Sequence, residues 1–485
     1  NIAHQQKKLD IDALKEFRDR FNIPISDKII KDVPYYKPSS KSPELEYLQQ
    51  QRKKLGGFLP QRRTKSKDLK IPSLDIFKSQ LEGTGDREAS TTMAFIRILT
   101  SIVRDKKIGK NVVPIVPDEA RTFGMEGMFR QIGIYSSKGQ LYTPQDADQL
   151  MFYREDKKGQ ILEEGINEAG AFCSWLAAGT SYSNHDRQMI PFYIYYSMFG
   201  FQRIGDFIWA GGDMQSRGFL IGGTAGRTTL AGEGLQHQDG NSLISASSIP
   251  NCVAYDPTYA FELAVIIHDG LRRMMGNQEN IFYYITCMNE NYTHPALPKG
   301  SEAGILKGMY LLREGKNKDD VSKPQLMGSG TILREVIAAA DILLNDYNIS
   351  TDIWSVTSFN ELRREALEKD RLNQLNPGSQ KKSSYIEQCF EDRSGPFIAA
   401  TDYMTLLPDQ IQKWIPGSYT TLGTDGYGRS DGRSALRDHF EVDRRYIVLA
   451  TLNALLDLGG IDQKIVLKAM KKFKINPKKP DPVKI

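Results

Sequence analysis

From about residue 70 onward, short apolar runs of strand type alternate with segments of helical periodicity, and few folds accommodate that alternation. Thr91–Arg104 has a helix pattern and leads into the run Val112-Val113-Pro114-Ile115-Val116. A long helix pattern surrounds Ile161 to Ala178, and Met189–Tyr196 is a second, aromatic-rich β-run. There follow a helix pattern at Phe201–Ala210, a short strand at Phe219–Ile221, a strand at Cys252–Tyr255, a helix at Tyr259–Met274 and a strand at Ile281–Thr286. A second alternating unit begins near residue 320, with strands at Gln325–Met327, Asp352–Val356 and Phe397–Ala400 and helices at Ile332–Leu344 and Phe359–Leu367. Residues 445–473 close it with two helices and a lysine-rich tail. Parallel strands need long crossovers, usually helical, so two α/β domains with largely parallel sheets are expected.

The lead is different. Ile11 to Phe21 places Ile11, Leu14, Phe17 and Phe21 at helical spacing, and Glu44 to Leu55 is a second helix candidate. The breaker cluster Pro34 to Ser40 lies between them, and Gly56 to Lys70 reads as a linker. Residues 1–70 hold 17 Lys and Arg against 9 Asp and Glu, while the remainder holds 47 against 50, so the net +5 comes from the lead. Acidic residues punctuate this basic segment and no aromatic period runs through it, so it reads as a solvated linker rather than a nucleic-acid footprint. An aromatic content of 10% rules out disorder along all 485 residues. Uncharged runs such as Gln188 to Gln202 fall short of the ~20 residues that span a bilayer, so no membrane partner is expected. Cys173, Cys252, Cys287 and Cys389 are at least 35 residues apart and read as reduced, buried thiols of a cytoplasmic protein. The first residues contain no apolar signal core, and the absence of an initial Met leaves room for a removed upstream segment.

Ligands in open α/β sheets bind outside the carboxyl ends of the strands. That rule singles out Asp118-Glu119, Tyr196-Ser197-Met198-Phe199, and the long Gly-rich loop from Gly222 to Gly240. In that loop Glu233 and His237 are candidate proton-transfer groups. A metal site there is disfavoured by a single His without standard ligand spacing, and no Lys-Ser/Thr follows the glycines, which excludes a P-loop. Glu168 is an isolated carboxylate leading an apolar, small-residue segment: either a solvated helix-start glutamate or a functional one. His268 reads as a packed histidine, His185 as a surface residue, and His439 as a helical residue without an evident partner.

The stretches Asp118–Gly127, Glu164-Gly165-Ile166-Asn167-Glu168, Phe192–Arg203, Gly234-Leu235-Gln236-His237 and Thr424–Asp431 resemble the homodimeric bacterial pyruvate dehydrogenase family, the thiamine-diphosphate-dependent decarboxylating component of the pyruvate dehydrogenase complex. The resemblance runs from Asn1 to about Lys479 and covers the second half of that family's polypeptide. It implies two doubly wound domains behind a helical lead: residues 1–67 as the end of the diphosphate-binding domain, 68–297 as the pyrimidine-binding domain, and 298–485 as a transketolase-like C-terminal domain. The family's Gly-Asp-Gly…Asn signature for Mg²⁺ and diphosphate is absent, so Mg²⁺ is expected on the missing N-terminal half and no metal ligand on this chain.

The resemblance also implies roles. Glu168 matches the carboxylate that bonds the pyrimidine and activates the cofactor, and Phe199 the aromatic packed on that ring. Tyr196 and His237 match pyruvate-facing groups, His237 as proton donor or carboxylate binder. Asp118, Glu119 and Glu233 match polar groups lining the site, and His4 a loop histidine assisting acetyl transfer to the lipoyl group. The implied partners are a second copy of the chain, the dihydrolipoyl acetyltransferase core and the chain's own missing half. The implied activity is that of an acetyl-transferring pyruvate dehydrogenase, inactive without that half. The alternative is a non-catalytic fragment or scaffold that keeps the fold and dimer surface but binds no cofactor alone.

Overall fold

The computed structural model describes residues 9–54, 56–57, 63–117, 120–145, 153–316 and 323–485, and the chain divides into two units between Arg62 and Arg63. The N-terminal unit is helical. Helix Ile11–Arg20 starts at Asp10, whose carboxylate accepts from the Ala13 backbone N–H at 2.8 Å. Helix Pro43–Lys54 buries none of its residues, as its charged composition dictates.

The second unit carries thirteen described strands. They are β1 (Val112–Val116), β2 (Ile134–Tyr135), β3 (Glu155–Asp156), β4 (Leu162–Glu163), β5 (Ile190–Tyr196), β6 (Phe219–Gly223), β7 (Cys252–Tyr255), β8 (Phe282–Thr286), β9 (Met309–Arg313), β10 (Gln325–Gly328), β11 (Asp352–Val356), β12 (Phe397–Ala400) and β13 (Tyr419–Leu422). Six form an all-parallel sheet in the order β4-β1-β5-β6-β8-β7, and five form a second sheet in the order β13-β12-β10-β11-β9. All pairs of the second sheet are parallel except β9 with β11; β2 and β3 make a small parallel pair. Every residue of β1, β6, β7 and β8 is buried. Successive side chains point to opposite faces, so this sheet is covered on both sides, as parallel sheets require.

The topology locates a crevice. From β1 the chain passes to β4 on one side, and from β5 to β6 on the other. The switch point therefore lies between β1 and β5, where a doubly wound sheet opens at its carboxyl edge.

Four sequence expectations are corrected. Cys252 and Cys287 are buried, but Cys173 is exposed and Cys389 only partly covered. The pattern Ile161–Ala178 is not one helix: β4 pairs with Ile115 and Val116, Gly165 takes a left-handed φ of +72°, and the helix begins only at Glu168. Asn167 starts it, its side chain accepting from Gly170 N–H at 3.0 Å. Strands β9 and β13 were not expected; both are edge strands with partly exposed residues. The C-terminal part of the Gly56–Lys70 segment is not a free linker. Gln278 exchanges two hydrogen bonds with the Ser66 backbone, at 2.9 and 2.8 Å, and Gln188 donates to the Lys67 carbonyl at 3.0 Å.

Candidate active site

The aromatic strand β5 ends at Tyr196, in register with Gly223 at the end of β6. A 3₁₀ turn, Ser197–Phe199, then leads into helix Gly200–Asp213. The turn lifts Phe199 over the strand ends, and the helix places Arg203 four residues on, above the same ring: its guanidinium carbon is 3.8 Å from the ring centroid. Arg203 Nη1 also donates to Glu168 Oε1. The Tyr193 hydroxyl donates to the Glu168 carbonyl at 3.3 Å, tying the helix start to β5. Glu168 is therefore neither lone nor solvated. It is a mostly covered carboxylate, its side chain 13% exposed, at the first turn of a helix and paired with a planar cation.

His237 joins this group from the loop after β6. Its ring centroid lies 5.1 Å from that of Phe199 and 5.4 Å from that of Tyr196, and Tyr196 meets Phe199 edge-on at 5.9 Å. Glu233, four residues earlier in the loop, approaches His237 Nδ1 to 3.6 Å, beyond hydrogen-bond length. His237 Nδ1 is buried and has no hydrogen-bond partner among the described residues. Such an orphan in a polar crevice is a position for a ligand group. Contacts thus link Glu168 through Arg203 to Phe199, and Phe199 to Tyr196 and His237 with Glu233 beyond, at the carboxyl ends of β5 and β6 beside the crevice that the topology locates. Asp118, Glu119 and His4 lie outside the described residues. His268 Nε2–H donates to the Pro72 carbonyl at 3.0 Å, and His268 takes no part in this cluster. His439 is packed edge-on against Phe440, and burial pushes its imidazole below the ordinary range.

The loop bearing His237 is clamped by the second sheet. Asp402, just beyond β12, is fully buried and accepts from the Thr228 N–H and hydroxyl at 2.8 and 2.7 Å and from the Thr229 N–H and hydroxyl at 3.0 and 2.5 Å. Burial pushes the Asp402 carboxyl up, against the pull of Arg437 and the threonine donors. Gly226 must be glycine here: its φ is +87°, and a Cβ would lie 2.3 Å from Asp402 Oδ2. Arg227 donates to the Thr424 and Gly426 carbonyls, Arg433 Nε to the Thr229 carbonyl at 2.7 Å, and Ser430 to the Glu233 carbonyl at 2.6 Å. Sequence reasoning missed Arg203, Asp402 and Arg227. Arg203 was findable as the i+4 partner of Phe199, and Asp402 as a carboxylate at a strand's carboxyl end.

Residues 69–295 match the pyruvate dehydrogenase E1 component middle domain, and residues 308–443 the transketolase-like C-terminal domain. The chain is 62% identical over 484 residues to the pyruvate dehydrogenase E1 component of Pseudomonas aeruginosa, covering 100% of this chain and 55% of that protein. The corresponding Escherichia coli K12 protein is 55% identical over 487 residues, covering 99% of this chain and 54% of its own length. Solved transketolases share the fold: that of Leishmania mexicana has a TM-score of 0.58 at 14% identity, over 94% of this chain and 56% of its own. That of Campylobacter jejuni has a TM-score of 0.56 at 14% identity, over 92% of this chain and 59% of its own. The chain spans about half the length of the curated relatives it matches, and along that span it is similar to pyruvate dehydrogenase E1 components and carries matches to their middle domain and to the transketolase-like C-terminal domain.

Proposed function

We propose that this chain supplies the pyrimidine-side half of a thiamine-diphosphate-dependent site that decarboxylates pyruvate and delivers the acetyl group to the lipoyl group of a dihydrolipoyl acetyltransferase. The observation that carries the reading is the chain of contacts joining Glu168, Phe199, Tyr196 and His237 beside one crevice, with a nitrogen-rich planar group, the Arg203 guanidinium, already on both Phe199 and Glu168. An aminopyrimidine presents the same two complements, a flat π-face and a nitrogen for the carboxylate, so these residues fit it. The orphaned His237 Nδ1 is a second point of fit. When bound, thiamine diphosphate supplies a nucleophilic thiazolium carbon and an electron sink.

The chain's own residues then have distinct tasks. Glu168 would hold the pyrimidine end of the cofactor through its carboxyl group and would manage a proton at that contact. Phe199 orients the ring by packing, and Arg203 gives up its place on both. Tyr196 and His237 bind the pyruvate carboxylate, and His237 Nδ1 donates or accepts a proton there, with Glu233 within reach to orient the imidazole. Asp118 and Glu119 line the cofactor side, and His4 assists acetyl transfer. In this reading residues 1–67 end a diphosphate-binding domain that holds Mg²⁺, 68–297 form the pyrimidine domain and 298–485 the C-terminal domain. The working unit is a cytoplasmic homodimer that is inactive without the diphosphate-binding half.

The test is Glu168→Gln in the holoenzyme, with exchange of the thiazolium C2 proton followed by NMR. Exchange is expected to slow by at least roughly a hundredfold. Near-parental exchange refutes the assignment.

A further inference from the structure

Away from the crevice, the seam between the two sheets holds a cavity of about 510 Å³ lined by Arg334, Arg433, Arg437, Arg444 and Arg445. Three carboxylates share it, Glu290, Glu335 and Asp443, so the walls carry a formal charge of +2. The two signs are not mixed evenly. The carboxylate side chains are only 13, 7 and 12% exposed, whereas four of the guanidinium side chains are 34–49% exposed. The acids thus form the floor and the arginines the surface.

The floor is saturated. Glu335 accepts a bidentate pair from Arg444, at 2.8 and 2.9 Å, and the Arg444 N–H at 3.0 Å. Glu290 accepts from Arg334 at 2.6 Å and from Arg437. Burial opposes ionisation of both acids, but Arg437 at Glu290 and Arg444 at Glu335 outweigh it and hold each carboxyl below its ordinary range. The arginines are not saturated. Arg433 uses only Nε, on the Thr229 carbonyl, and its two terminal nitrogens have no acceptor among the described residues. Arg334 commits a single nitrogen to Glu290, its carbon lying 4.6 Å from the Tyr292 ring centroid. Arg445 directs Nε and Nη2 to Asp443 and Asp438, leaving Nη1.

We propose that this cavity is a binding site for a small molecule bearing a dianionic phosphate or diphosphate group. Free guanidinium forks converging from separate elements match phosphate oxygens bidentately, which a compact ammonium does not do. Asp438 and the buried Asp402 stand behind Arg445 and Arg437, so the cationic excess belongs to the lining, where the guanidinium nitrogens left without an acceptor border the volume of a metabolite site. Arg433 and Arg437 also touch Thr229 and Thr228 of the His237 loop, so a ligand here would sit against the segment that positions the crevice.

The experiment is calorimetric titration of the full chain with inorganic pyrophosphate at ionic strength fixed with chloride. One saturable site per chain is expected, weakened about tenfold or more by Arg334→Gln and again by Arg445→Gln, the charge-assisted bonds each variant removes. Both variants are checked for folding by circular dichroism, and the parent titration stands whether or not they fold. No saturable heat in the parent, or parental affinity in the folded double variant, overturns the site. Citrate bound as tightly as pyrophosphate overturns the phosphate assignment.

Discussion

Asp256 follows β7 and is buried where the two sheets meet. Its N–H donates to the Thr357 carbonyl at 2.8 Å, and its carbonyl accepts from the Gly330 N–H at 3.3 Å. Oδ1 accepts from the Thr286 hydroxyl at 2.6 Å, and Oδ2 has no hydrogen-bond partner among the described residues. Burial, reinforced by the negative charges of Asp402 and Glu262, outweighs the hydroxyl donors and pushes the carboxyl from 3.8 up to about 7. That displacement corresponds to about 4 kcal/mol between the fully protonated and fully ionised limits. The sign follows from linkage: the folded state binds the proton more tightly, so Asp256 favours folding at low pH and this contribution is lost as pH rises from about 4 through about 7. Between pH 5 and 8 the loss comes to about 2.5 kcal/mol. Asp256→Asn keeps the shape and never ionises. Urea unfolding of parent and variant at the two pH values should show the variant gaining about 2.5 kcal/mol on the parent at pH 8 relative to pH 5. Comparing the two proteins cancels the titration of distant carboxyls, and any fixed cost of the amide is common to both pH values. A stability difference that does not change with pH would refute the reasoning.

Asp402→Ala leaves two N–H groups and two hydroxyls buried without their acceptor, so a loss of about 3 kcal/mol or more is expected in urea unfolding, with new proteolytic cleavage between residues 224 and 240; a loss under about 1 kcal/mol would show that the clamp is slack. Gly226→Ala should destabilise by a similar route, because the added methyl meets Asp402 while the backbone stays left-handed, and a neutral result in thermal unfolding would contradict the close approach. Arg437→Met removes one of the two arginines on Glu290 and a 3.5 Å contact of Glu335, leaving Arg334 and Arg444 in place, and should lower stability at neutral pH by about 1–3 kcal/mol. Because Glu290 and Glu335 are held below their ordinary range, their stabilisation is present above about pH 4.5 and lost on acidification, so the variant should lose less than the parent between pH 6 and 3.

The α/β character and most strands could be read from the sequence because central parallel strands are apolar on both faces. Val112–Val116 and Cys252–Tyr255 have no competing periodicity, and their observed bounds agree with the expected ones. Edge strands escaped because half of each faces solvent: Tyr419–Leu422 contains two threonines and reads as loop. The apparent long helix before Ala178 misled because a two-residue strand is below any periodicity, and only Gly165 and Asn167 mark the break. The site residues could be named from motifs, but their partners could not. Glu168 and Arg203 are 35 residues apart in sequence, and Asp402 and Thr228 are 174 apart. Nothing local in either segment encodes a pairing that arises only when helix and strand ends are brought to one edge.

The distribution of burial decides what kind of control the second sheet has over the crevice. Asp402 makes its four bonds to Thr228 and Thr229, and Arg433 and Ser430 reach the backbone at Thr229 and Glu233. None of these bonds involves the side chains of Glu233 or His237. The second sheet therefore sets where the loop runs, while none of these bonds fixes the imidazole or the carboxylate. At His237 the aromatic neighbours restrain the ring by area and not by a directed bond: the two centroid distances of 5.1 and 5.4 Å are ordinary packing separations. On the role proposed for His237, this division suits a site in which one imidazole must meet different atoms in turn, because backbone precision and side-chain adaptability are supplied by separate elements.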